Sequence, residues 1–310
     1  MLGVGVADFL EVVVIIDNYI DVLLEDEGVA KRWGVASSLS SPRQLIAEHG
    51  LSLLVRVGGQ GVERRVLMDC GFTDCGVVHN MEVLGIDPLS IDAVFLSHGH
   101  LDHYGGLREL LKRVKGKKRV PVYVHPEAFC TRLFTLPSGL TLGPWELREA
   151  DVEEAGGAVV KARNPVPLAP GLLTTGEVER VTDFERGLEV ARRIRDGLYE
   201  ADPILDDQAL VVCVRDVGPI VIAGCAHSGI VNTVRHVAKL TGKGPYAVVG
   251  GFHLSGASAE LLDRTVEELK RAGVRVVVPM HCTGFRAAVK MAKEFGEGFV
   301  VSSVGTRLRF

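Results

Sequence analysis

The stretch from Asp92 to Gly106, DAVFLSHGHLDHYGG, places an apolar run directly against three imidazoles and a carboxylate: His98, His100, Asp102 and His103 within six residues. Ala93 to Leu96 reads as a buried strand, and Gly105-Gly106 opens the helical pattern that follows. A group so polar does not fill a core, because burying polar atoms without partners costs several kcal/mol, roughly 2–7 per group. The chain therefore has to deliver these side chains to a strand exit, where loops converge and ligands bind. Neutral imidazole with carboxylate is the donor set of zinc, with iron or manganese as alternatives.

Short Val/Ile/Leu runs bounded by Gly, Pro or Asp recur on both sides of this feature. EVVVIID, LSLLVRV, RRVLMD, DAVFLSH and VPVYVHP form a first set; ALVVCVR, GPIVIAGC, YAVVGGFH, VRVVVPMHC and GFVVSS form a second. Each half is expected to build a sheet. Helical periodicity appears in GGLRELLKRV, DFERGLEVARRIRDGL, IVNTVRHVAKL, SAELLDRTVEELKRAG and FRAAVKMAKEF, with Gly273 as a stop after the fourth. Continuously apolar strands interleaved with helices predict covered sheets, hence an α/β fold in four layers. Residues 130–208, with TLPSGLTLGPW and RNPVPLAPG, lack strand periodicity and read as an insertion or substrate-facing cap within a single domain spanning 1–310.

Composition narrows the function classes. With 310 residues and 47% apolar content the chain can bury a large core. A balance of 35 basic and 39 acidic residues gives no global field for nucleic acid or an anionic membrane. The basic run at 108–119, RELLKRVKGKKR, has no interleaved aromatic residues, so it reads as a solvated helix end rather than an RNA face. The early run VVVII is too short and too closely flanked by charge to span a bilayer, and a cytoplasmic protein with no membrane partner is expected. Six irregularly spaced cysteines favour free thiols.

The second set of strands ends in three more imidazoles: His227 in GCAHSGIVN, His253 in GGFHLSG and His281 in PMHCTGF. Each follows an apolar run, so topology can carry it to the edge that holds His98. His227 and His281 read as metal ligands, whereas His253 reads as a ligand or as a donor to substrate. Cys225 stands just before His227, and a buried free cysteine is more often packing than ligand. Asp69 in VLMDCG reads as a hydrogen-bonding support for the metal loop. Asp17, Asn18 and Asn80 are pocket or turn residues, and His49, His79, His125 and His236 read as capping or packing residues.

SHGHLDH resembles the signature of the metallo-β-lactamase superfamily, which implies an αββα sandwich with two divalent metal ions at the shared edge of two sheets. By that resemblance His98 and His100 serve the first ion, and Asp102 and His103 the second. The superfamily's usual PGH histidine is missing: APGLLTTGE occupies 169–177, and no histidine occurs from 126 to 226. His227 and His281 are the compensating candidates, and Cys225 stands where a metal-bridging Asp often lies. DNYID, LMDCGFTD, HNMEVLGID, GCAHSGIVNT, GGFHL and HCTG further resemble the branch labelled 7,8-dihydropterin-6-yl-methyl-4-(β-D-ribofuranosyl)aminobenzene 5′-phosphate synthase. That resemblance implies an enzyme of pterin cofactor biosynthesis acting on a small phosphorylated substrate, with Asp102 and His253 in catalytic roles. A metal-dependent ester or phosphodiester hydrolase, an RNA nuclease and a non-catalytic ligand-binding protein are the alternatives.

Overall fold

A computed structural model describes residues 5–310. One sheet has eight strands in the order Ala30–Lys31, Arg307–Arg309, Phe9–Ile16, Ser52–Gly59, Val62–Met68, Ala93–Phe95, Val120–Val124 and Gly157–Lys161. A second has six, in the order Pro167–Ala169, Leu172–Thr174, Ala209–Val214, Gly218–Ala223, Ala247–Gly251 and Val276–Met280. Strand alternation sorts their side chains into layers. Val12 and Val14 join Leu53, Val55, Leu210, Val212, Ile220, Ile222 and Val249 in one cluster between the sheets. The intervening Val13 and Ile15 point the other way, onto a cluster with Leu107, Leu110, Leu111 and Val152 from the helices Leu107–Val114 and Glu149–Ala155. Val211, Val221, Val248 and Val277 likewise face the helices Ile230–Thr241, Ala259–Arg271 and Phe285–Phe295 through Val234, Val266 and Met291. The central strands of both sheets are covered on both faces, which is why they are largely apolar, and the result is the four-layer αββα sandwich. Each fully buried Val or Leu contributes roughly 1.5–3 kcal/mol to this assembly.

Three expectations change. The two halves do build the two main sheets, but the division is not strict, because Arg307–Arg309 from the end of the second half pairs with Phe9–Ile16 in the first sheet. GFVVSS is not a ladder strand: only a single bridge joins Phe299 to Val277, and the Ser302 and Ser303 hydroxyls bond instead to Asp17 and to the Asp21 backbone N–H. The helix expected over 183–198 is a loop followed by a hairpin, Ala191–Arg195 with Leu198–Ala201. Asp196 and Gly197 both take positive φ there, 51° and 78°, which is the two-residue turn that an Asp-Gly pair favours between strands. That hairpin joins Thr131–Thr135 and Thr141–Trp145 in a separate four-stranded antiparallel sheet. Among the described residues no helix is long and apolar enough to cross a membrane.

Candidate metal centre

Strands Val62–Met68, Ala93–Phe95 and Val120–Val124 run parallel in one sheet, and Gly218–Ala223, Ala247–Gly251 and Val276–Met280 run parallel in the other. The polar residues lie just past the carboxyl ends of these strands, the usual place for a ligand site in an α/β sheet. Asp69, Ala226, His253 and His281 all take positive φ, at 59°, 53°, 48° and 48°. Left-handed backbone at non-glycine residues costs of order 1–3 kcal/mol each and collects where function demands a particular side-chain aim.

The first group is His98, His100 and His227. Nε2 of His98 lies 3.0 Å from Nδ1 of His100, and Nε2 of His227 lies 3.1 Å from that same atom. All three residues are buried. An imidazole Nδ1 has either one proton or one lone pair, so it satisfies only one of those neighbours. Nε2 of His100 and Nδ1 of His227 have no hydrogen-bond partner either. Burial first, and the neighbouring imidazoles with it, push His98 and His227 well below the ordinary histidine value; burial with the Arg132 charge lowers His100 to about 3. Neutral rings whose nitrogens make more contacts than their protons can satisfy are arranged for a cation, and the donor set fits one.

The second group is Asp102, His103 and His281. The four-residue helix Leu101–Tyr104 carries the first two, and Oδ2 of Asp102 lies 3.2 Å from Nε2 of His281 and 3.8 Å from Nε2 of His103. Each ring is held from behind. Asp69 Oδ2 contacts Nδ1 of His103 at 2.7 Å, while its carboxylate also accepts from the Ser97 N–H and hydroxyl at 2.8 and 2.7 Å. Asn18 Oδ1 contacts Nδ1 of His281 at 3.0 Å, and Asp17 accepts the His281 backbone N–H at 2.9 Å. Ser97 Oγ does the same for Nδ1 of His98 at 2.9 Å. Such contacts fix the tautomer and leave Nε2 to face the centre. Burial opposes charging His103, but Asp69 and Asp102 overcome it and hold its pKa up at about 9. Cys225 Sγ stands 3.1 Å from Nε2 of His103, and together with His98 these residues connect the two groups.

The sequence profile of the metallo-β-lactamase superfamily matches residues 46–281, which includes every ligand candidate from both sheets. The chain belongs to the metallo-β-lactamase superfamily. A 7,8-dihydropterin-6-methyl-4-(β-D-ribofuranosyl)-aminobenzene-5′-phosphate synthase of Methanocaldococcus jannaschii is 36% identical over 270 residues, covering 85% of this chain and 90% of that protein. Among solved structures, Tm1679, a metal-dependent hydrolase of the β-lactamase superfamily, superposes with a TM-score of 0.75 at 26% identity, covering 96% of this chain and 98% of that one. The metallo-β-lactamase fold protein YhfI from Bacillus subtilis shares the fold with a TM-score of 0.53 at 14% identity, over 98% of this chain and all of that one.

Within this superfamily member, His227 stands with His98 and His100 in the absence of a PGH histidine. His253 lies near it, with ring centroids 4.3 Å apart. Asn80 does not line the site: it is buried and ties the Ile15 and Ile46 carbonyls together. His79 contacts the Gln44 carbonyl, and His125 caps a short turn by accepting the Glu127 N–H. In the basic run, Lys115 and Lys118 donate to backbone carbonyls and Lys112 and Arg113 pair with Glu109, so many of its cations are engaged.

Sequence reasoning passed over several residues. His49 is exposed, yet it stands 3.5 Å from Asp102 and against the His281 ring. Cys282 touches Cys225. Arg132, buried beside the loop, donates to Asp202 at 2.8 Å and to Asp206 at 2.5 Å, and Asp206 accepts the Gly99 N–H at 2.7 Å. A Cβ on Gly99 would meet the Ala128 carbonyl at 2.3 Å and the Arg132 guanidinium at 2.4 Å, so only glycine fits between His98 and His100. No local motif marks these three partners.

Proposed function

We propose that the chain is a two-cation enzyme acting on a small phosphorylated substrate. The observation that carries this reading is the convergence of two donor groups, the buried His98/His100/His227 and the largely buried Asp102/His103/His281, with Cys225 between them. Zinc suits the donors best, with iron or manganese as alternatives. Divalent cations bound there would supply Lewis acidity and a water ionised near neutral pH. Asp102 orients groups at the second position, and His253, partly exposed at the rim, donates to a leaving group or phosphate. Asn18, Asp69 and Ser97 keep the rings aimed.

The kinship with the Methanocaldococcus synthase favours condensation, in which an aromatic amine bearing ribofuranosyl 5′-phosphate displaces diphosphate from a dihydropterin. Two features of the site support an aromatic substrate. A cavity of about 520 Å³ opens beside Asn18 and His281, walled by Tyr19, Met280, Phe285 and Phe299. The separate antiparallel sheet, part of the segment we read as a cap, sets Phe134 edge-on against His100 at 5.4 Å and stacks Trp145 behind it at 4.8 Å. Hydrolysis of an ester or phosphodiester is the second reading, in keeping with the kinship to Tm1679.

Turnover separates the two. Diphosphate release that requires the arylamine supports condensation; equal release without it supports hydrolysis. His98→Ala is expected to lose bound metal and about a hundred- to a thousandfold in turnover, since removing a group that stabilises the transition state costs roughly 10²–10³. Full activity in metal-free protein would end the proposal.

A further inference from the structure

We infer that Cys225, Cys282 and His253 hold a third, thiophilic divalent cation, of the zinc class, beside the two positions proposed above. The inference rests on that reading only for its neighbourhood. The two sulfurs lie 3.2 Å apart, and both fall within 4.8 Å of a His253 ring nitrogen. Nδ1 of His253 is buried without a hydrogen-bond partner, although its backbone is strained to φ 48° to aim the ring inward. Space has been left for the cluster: a Cβ on Gly251 would come within 2.8 Å of Cys282 Sγ and 2.3 Å of the Gly224 carbonyl.

Buried thiols alone would carry nothing, since free cysteine behaves as a small hydrophobe. Cys70 is such a case, packed among Leu67, Val77 and Leu107 in the helix-facing core. Cys225 and Cys282 differ because an unpartnered imidazole joins them, and two sulfurs with one ring nitrogen make three-quarters of a Cys₂His₂-type donor set. A disulfide would consume the sulfurs and leave Nδ1 of His253 buried without a partner. Thiolate ligands select zinc, or cobalt as its spectroscopic stand-in, over magnesium and manganese. The other two positions draw their own donors from nitrogen and oxygen, with a sulfur only at the Cys225 that stands between them, and have less of that bias. The centre is thus graded, with a soft position on the second sheet beside harder ones.

The test is cobalt titration of the full-length protein, stripped by chelator and kept anaerobic. Three equivalents are expected to bind, one of them raising a near-ultraviolet thiolate-to-cobalt charge-transfer band. Cys282→Ser should reduce the count to two and at least halve that band, whereas Cys70→Ser should leave both unchanged. His98→Ala should remove an ion without touching the band; if it removes none while the band persists, the two-cation reading fails and this one stands. A thiolate band that is absent, or unaltered in Cys282→Ser, overturns the inference, as does a Cys282→Ser protein that binds no cobalt at all. X-ray absorption on zinc-loaded wild type guards against a variant that fails to fold: sulfur neighbours at about 2.3 Å are required, and their absence is equally decisive.

Discussion

Two buried polar clusters share the loop from His98 to His100, and they balance their charges differently. Arg132 is closed off by protein: Nε and Nη2 of its guanidinium meet Asp202 and Asp206, Nη1 alone lacks a partner, and Asp206 spends its other oxygen on Gly99. Burial would raise the Asp206 pKa, but Arg132 and the Gly99 N–H outweigh it and hold the carboxyl below its usual range. The imidazole cluster is equally hidden, yet its nitrogens confront one another and several have no partner. A cluster that sets opposite charges against one another reads as scaffold; one that leaves like groups face to face fits the cation site proposed above. The contrast separates a structural ion-pair network from the donor cluster we propose to hold cations, without reference to any relative.

The comparison can be broken most forcefully at its closed side. Asp206→Ala leaves a buried guanidinium half paired and is expected to cost about 3–5 kcal/mol in urea unfolding, with or without zinc; a loss below about 1 kcal/mol would mean the pair is not structural. Because the folded pKa of Asp206 lies below its ordinary 3.8, this contribution is present above that value. It is lost as pH falls through the folded value, so wild type and Asp206→Asn should converge in acid. The open side should respond to metal instead. Zinc at a hundred times its dissociation constant is expected to stabilise wild type by about 2.7 kcal/mol, a gain that calorimetry should find diminished in His98→Ala and preserved in surface variants.

Smaller effects sharpen the boundary between the two clusters. Asp69→Asn keeps the shape but loses the carboxylate that aims His103 and anchors Ser97. Competition against a chromophoric chelator should then show metal affinity weakened about 10–100-fold, with the fold intact by circular dichroism. Least of all should come from Glu63, an exposed carboxylate that Arg56, and then Arg65, lower to about 2. Glu63→Gln is expected to cost at most about 1 kcal/mol at neutral pH. That difference should fade as pH drops from about 4.5 towards 2, and a larger or pH-independent loss in thermal melts would contradict the assignment.

How much of this was legible in the sequence depended on distance along the chain. His98, His100, Asp102 and His103 are contiguous and follow an apolar run, so their convergence could be read directly. His227 and His281 could be proposed because each ends a strand, and the shared strand direction delivers them to one edge. Arg132 could not, since its partners arrive 70 and 74 residues later from a loop without periodicity. Cys282 was hidden by His281 next to it, and only the fold shows that its thiol turns towards Cys225. The layers followed from uninterrupted Val/Ile/Leu runs. The hairpin at 191–201 was misjudged because arginines spaced like a helix face outweighed the Asp196-Gly197 turn signal.

Arg309 pairs with Glu11 across 298 positions, and the His281 backbone leans on Asp17 across 264. Loops of that span close late and slowly. A partly synthesised chain therefore has the HxHxDH segment but neither the far imidazoles nor the strand that seals the first sheet. An ion that draws donors from both sheets, as proposed above, is therefore held only once the strand that leads into His281 has docked beside the HxHxDH segment.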